Sequence, residues 1–105
     1  MAKGILLVET RPASPDQVAE YHQWYNETHI VELLRVEGFV SARRLEALDD
    51  DGTFIAIYEI EADDLETAKA NLQKDSSDRS DPVGVSLDPP PIVRYFREIA
   101  TFSAT

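Results

Sequence analysis

The chain opens with a continuous apolar run, Ile5-Leu6-Leu7-Val8, closed by Arg11-Pro12. A run with no polar alternation predicts a strand buried on both faces. The spacing then becomes helical. Ser14 offers an N-cap oxygen, Pro15 occupies the first helical position where its missing N–H is harmless, and Gln17 can return a capping-box bond. This helix is expected to run to about Arg35, with Gly38 as its stop. Residues 39–48 predict a second strand, and Asp49-Asp50-Asp51-Gly52 a hairpin turn. Residues 53–60 predict a third strand, apolar on both faces. Asp63, with Glu66 three residues on, caps a second helix whose apolar stripe is narrow: Leu65, Ala68 and Leu72. Residues 75–91 are rich in Ser, Asp and Pro and end in Pro89-Pro90-Pro91, which leads extended into a fourth strand over 92–100.

The order βαββαβ, in one domain over residues 1–105, predicts an α+β fold of ferredoxin-like type: a four-stranded antiparallel sheet with two helices on one face. Two helices leave the other face bare, yet the first and third strands are apolar at positions of both parities. The second face must therefore be buried, and so short a chain has nothing left to cover it. A second copy of the same sheet is the economical solution, a homodimer with a closed, barrel-like interior. The long 75–91 segment is expected to act as a flap beside a pocket, with Val83, Val85 and Leu87 closing over an apolar ligand.

Composition narrows the partners. Twenty acidic residues against ten basic ones, a formal charge of −10, argue against nucleic acid or an anionic membrane, because phosphate contacts need a basic surface. Arg43-Arg44 is the one basic pair, and strand geometry lets only one of the two look inward. Hydrophobic content of 43% supports a globular chain despite that charge. There is no cysteine, so disulfides, thiolate nucleophiles and Cys-based zinc sites are excluded. No apolar run suits a signal peptide or a membrane span, and a soluble cytoplasmic protein is the expectation.

The candidate chemistry is concentrated in Tyr21-His22-Gln23-Trp24-Tyr25-Asn26-Glu27-Thr28-His29, which holds both histidines and the one tryptophan. At 3.6 residues per turn His22, Tyr25, His29 and Leu33 form one stripe with Val18 above them. Imidazoles in an apolar seam suit proton transfer or the orientation of a polar ligand. His29 is the candidate general acid or base, and Tyr58 the candidate donor to a developing oxyanion. His22, Trp24, Tyr25, Asn26 and Tyr95 are candidate substrate-binding residues. No metal is expected: His22 and His29 rise about 10 Å apart along a helix, whereas one zinc ion takes histidines four residues apart. No glycine-rich loop follows a strand, so no nucleotide cofactor is expected either.

The run Trp24-Tyr25-Asn26-Glu27-Thr28-His29-Ile30, then Glu32-Leu33-Leu34, Glu37-Gly38-Phe39-Val40 and Ser41-Ala42-Arg43-Arg44, resembles the W-Y-[DN]-x-x-H-[IV]-P-[ED]-L-L…P-G-[FV]…S-A-R-R pattern of the EthD-like proteins of the dimeric α+β barrel superfamily. The close match covers about residues 21–45. Val31 and Glu37 stand where that pattern has proline, so a less kinked helix end is expected. The resemblance implies a homodimer, and a small pocket between sheet and first helix lined by His29. Because reactions in that superfamily are diverse, it does not select one. The leading reading is a cofactor-independent enzyme of lyase, isomerase or cyclase type acting on an apolar or aromatic carbonyl or hydroxyl compound. The alternatives are a non-catalytic carrier of such a compound and a cofactor-free monooxygenase on a phenol.

Overall fold

The computed structural model describes residues 1–49, 51–74 and 90–104. Four strands, β1 (Ala2–Thr10), β2 (Phe39–Glu46), β3 (Phe54–Ala62) and β4 (Ile92–Arg97), form one sheet in the order β2-β3-β1-β4. Every pairing in it is antiparallel. A helical segment joins β1 to β2, beginning with a 3₁₀ turn (Pro15–Gln17) and continuing through α1 (Val18–Trp24), a π-helical turn (Tyr25–His29) and α2 (Ile30–Leu33). A second helix, α3 (Leu65–Lys74), follows β3. This is the ferredoxin-like α+β architecture that the element order predicts.

Local chemistry explains most boundaries. The Ser14 side chain accepts from the Asp16 amide at 3.2 Å and opens the first helix, with Pro15 next in the chain. The first helical segment stops at Leu33 with Leu34 as its C-cap, short of the expected Arg35, and Gly38 lies beyond it in the turn before β2. Gly38 takes a φ of 102° there and Gly52 a φ of 86° in the β2–β3 turn, left-handed conformations that cost glycine little. Three further expectations change. Asp64, not Asp63, caps α3, its carboxylate accepting from the Glu66 amide at 2.9 Å because the helix begins one residue later. β2 ends at Glu46, and Leu48 beyond it is fully exposed. β4 stops at Arg97, opposite Gly4, short of the expected residue 100. The Glu98 amide makes a last bond to the Lys3 carbonyl, near the start of β1, and Ile99 and Phe102 beyond it are exposed.

Strand parity divides the sheet into two faces. Leu6, Val8 and Thr10 of β1 and Ala56, Tyr58 and Ile60 of β3 lie under the helices and are buried. Tyr21, Tyr25, Leu33, Ala68 and Leu72 meet them from the helical side. The odd positions of β1 and β3, with their neighbours on β2 and β4, form the opposite face. There Ile5 stands beside Phe96, Leu7 beside Ile57 and Leu45 beside Ile55, all of them partly exposed. Both parities of β1 and β3 thus carry apolar residues, as predicted, and among the described residues nothing covers the second face of the sheet. The expected flap over 75–91 lies outside the described residues except for Pro90 and Pro91. Among the described residues no helix is long and apolar enough to cross a membrane.

Candidate active site between the first helix and the sheet

The predicted stripe of His22, Tyr25 and His29 assumes an uninterrupted α-helix, and the π turn breaks that assumption. The Ile30 amide reaches back five residues to the Tyr25 carbonyl, widening the turn and shifting the helical phase. His29 stacks on Trp24, with ring centroids 4.5 Å apart and planes 25° from parallel. Tyr25 meets the same imidazole edge-on at 4.9 Å. His22 is carried away from His29, packing instead edge-on against Phe54 at 4.7 Å and beside Tyr21 at 5.4 Å. Burial and the nearby Arg44 charge lower its pKa.

Trp24, Tyr25 and His29 line a cavity of about 210 Å³ beneath the first helix. Leu6, Val8 and Thr10 form its floor, and Leu33, Leu72, Pro91 and Val93 complete its walls. Thr10 is absent from the residues that sequence reasoning singles out. Parity along β1 could have found it, since it follows Leu6 and Val8 on the covered face. Its hydroxyl hydrogen-bonds that of Tyr21, and both groups are buried.

Behind this wall lies a cluster of phenols. Burial pushes the Tyr25 hydroxyl up to about 12, and the Tyr21 phenol adds to the effect, while interactions with the Tyr58 and Thr10 hydroxyls oppose it. Tyr58 is fully buried on β3 and does not line the cavity. Its pKa is also raised, first by burial and then by Tyr25. Among the described residues, neither the Tyr58 hydroxyl nor the buried indole N–H of Trp24 makes a hydrogen bond of ordinary geometry. Of these two phenols, Tyr25 is the one that lines the cavity.

The remaining candidates are placed elsewhere. Asn26 is exposed and accepts from Arg44 Nη1 at 2.9 Å. Tyr95 lines a separate groove with Leu65 and Arg97, and Lys69 Nζ lies 5.2 Å from its ring centroid. Arg44 is the arginine that looks inward. Its guanidinium lies over the rings of Tyr25 and Tyr21. Among the described residues no group of three or more metal-ligating side chains comes together.

No protein-family model matches the chain, and no curated protein matches it. Solved structures do. A mutant form of SnoaB, a cofactor-independent oxygenase from Streptomyces nogalater, superposes with a TM-score of 0.63 at 17% identity, over 97% of this chain and 98% of that one. A Bacillus cereus protein provisionally described as an antibiotic biosynthesis monooxygenase gives 0.61 at 15% identity, over 99% and 100%. A dimeric ferredoxin-like protein from an uncultured marine organism gives 0.57 at 7% identity, over 100% and 95%. At such identities the likeness establishes the fold.

Proposed function

We propose that this chain is a cofactor-independent enzyme that moves a proton on a small apolar or aromatic compound bearing a carbonyl or hydroxyl group, with His29 as the acid or base. The cavity carries this reading: about 210 Å³, largely apolar, with one imidazole in its wall held against an indole. An apolar cavity of about 150 Å³ accommodates benzene, so the space suits a single substituted ring. Trp24 and Tyr25 supply flat surfaces for that ring, and Tyr25, backed by Tyr58, is the candidate donor to a developing oxyanion. Lyases, isomerases and cyclases of the type considered above all need such a proton transfer. The EthD-like resemblance of residues 21–45, which includes His29, supports the same assignment.

Cofactor-free oxygenation of a phenol is the second reading, favoured by the likeness to SnoaB. It uses the same His29 to remove a phenolic proton before oxygen reacts. Under either reading the protein works as a cytoplasmic homodimer joined through the bare sheet face. The apolar residues of that face and the dimeric ferredoxin-like neighbour support the assembly.

The test is a screen of aromatic ketones and phenols for binding and turnover, repeated with His29→Ala. Loss of turnover by roughly 10²–10⁴-fold with binding retained is the expected result. Retained turnover rejects His29 as the acid or base, and a bound compound that the unmodified protein never converts indicates a carrier. Oxygen uptake in step with conversion selects the oxygenase over the lyase, isomerase or cyclase.

A further inference from the structure

Arg44 stands on the covered face of β2, opposite Ala56 of β3, where an apolar side chain would ordinarily pack. It has two separate holds on the π turn. The guanidinium carbon lies 4.5 Å from the Tyr25 ring centroid, and Nη1 donates to Asn26 Oδ1 at 2.9 Å. Tyr25 and Asn26 are the first two residues of that turn, and His29 is its last. A third contact, 5.3 Å to the Tyr21 ring centroid, ties the same guanidinium to α1 just before the turn.

A π turn is uncommon, and an uncommon backbone conformation persists where its surroundings over-determine it. In an α-helix, residues five apart stand about 140° from each other around the axis, too far for their rings to stack. The Trp24–His29 stack therefore requires the wide turn. A planar guanidinium can lie on a phenol face and donate in its own plane at once, which a lysine ammonium cannot do with one geometry.

We propose that Arg44 is the positioning residue of this site, gripping the π turn through Asn26 and Tyr25 and thereby fixing the His29 imidazole against Trp24. The inference rests on the reading that His29 is the working group, and adds the element that sets its place. Arg44 does not line the cavity.

Trp24 is the only tryptophan, so its fluorescence reports on this stack alone. A protonated imidazole in face contact quenches an excited indole by accepting an electron. In a His22→Gln background, His29 is the only imidazole in the chain, and acidification from about pH 8 to pH 5 should quench Trp24. Adding Arg44→Met should remove at least half of that quenching while the protein still melts cooperatively. Arg44→Lys should restore part of it, and Arg43→Met, on the opposite face, should leave it unchanged.

Asn26→Ala removes one hold at an exposed position, so a clear loss of quenching is expected there too; this variant decides the matter if Arg44→Met does not fold. Full quenching in folded Arg44→Met, or in Asn26→Ala where that variant decides, overturns the proposal. So does a His22→Gln parent that shows no quenching. The readout is geometric, whereas turnover by His29→Ala reads chemistry, so either proposal can fail while the other stands.

Discussion

The imidazole of His29 lies face to face with the indole of Trp24, five residues earlier, at a centroid distance of 4.5 Å. This pair forms one end of the cavity wall and unites the chain's tryptophan with its best-placed proton carrier. An aromatic ligand entering the cavity must pack against or beside this stack.

Ligand binding should therefore change Trp24 fluorescence in proportion to occupancy. Trp24→Leu should weaken binding of a ring compound by up to roughly tenfold, since an aromatic pair contributes about 0.5–1.5 kcal/mol beyond its buried area. Calorimetric titration of both proteins measures the difference. Unchanged affinity would place the ligand away from Trp24.

The bare sheet face should hold a dimer together. Sedimentation at micromolar concentration is expected to show two chains per particle, and Ile57→Asp, beside Leu7 at the centre of that face, should yield monomer or aggregate. Tyr95→Phe, on the helix side of β4, serves as the control and should remain dimeric. A well-folded monomer of the unmodified protein would refute the assembly.

Gly4 is required by the contact between β1 and β4. A Cβ at this position would lie 2.3 Å from the Phe96 carbonyl oxygen and 3.1 Å from Leu65 Cδ1, so the backbone of β4 would have to move. Gly4→Ala should cost about 1–3 kcal/mol, read as a lower midpoint in urea. An unchanged midpoint would mean that the two strands separate freely at this point.

Stability should decline on the alkaline side. The Tyr25 hydroxyl is raised from 10.0 to about 12 by burial. Between these values the folded state holds a proton that the unfolded chain has released, so its contribution is complete below pH 10 and is lost as pH rises towards 12. Melting temperature against pH should fall above about pH 10, and Tyr25→Phe should flatten part of that fall. A curve identical in the two proteins would show that Tyr25 ionises as freely when folded as when unfolded.

Much of this architecture is already present in the order of side chains. Continuous apolar runs at Ile5-Leu6-Leu7-Val8 and around Ile55-Ala56-Ile57 require burial on both faces whatever the details, so they imply the sheet and expose the problem of its uncovered side. Ser14 marks the start of the first helical segment, and Gly38 the turn into β2, because capping and left-handed backbone are local effects, decided within a few residues. The crowding of Trp24, Tyr25 and His29 points to the cavity for a similar reason: a helix that merely covers a sheet has little use for so many polar-tipped rings.

The partners of those rings are a tertiary matter. Sequence spacing assigns helical neighbours at three and four residues, and by that rule His22 and His29 share a stripe while Trp24 and His29 do not. The wide turn reverses both assignments, and it is held from β2 by Arg44, which is distant in sequence from Trp24 and adjacent in space to Tyr25. Thr10 meets Tyr21, and Tyr58 meets Tyr25, only because β1 and β3 lie under the first helix. Periodicity encodes which face of an element turns inward, whereas the phase of one ring against another depends on backbone irregularities that only the packed neighbours stabilise.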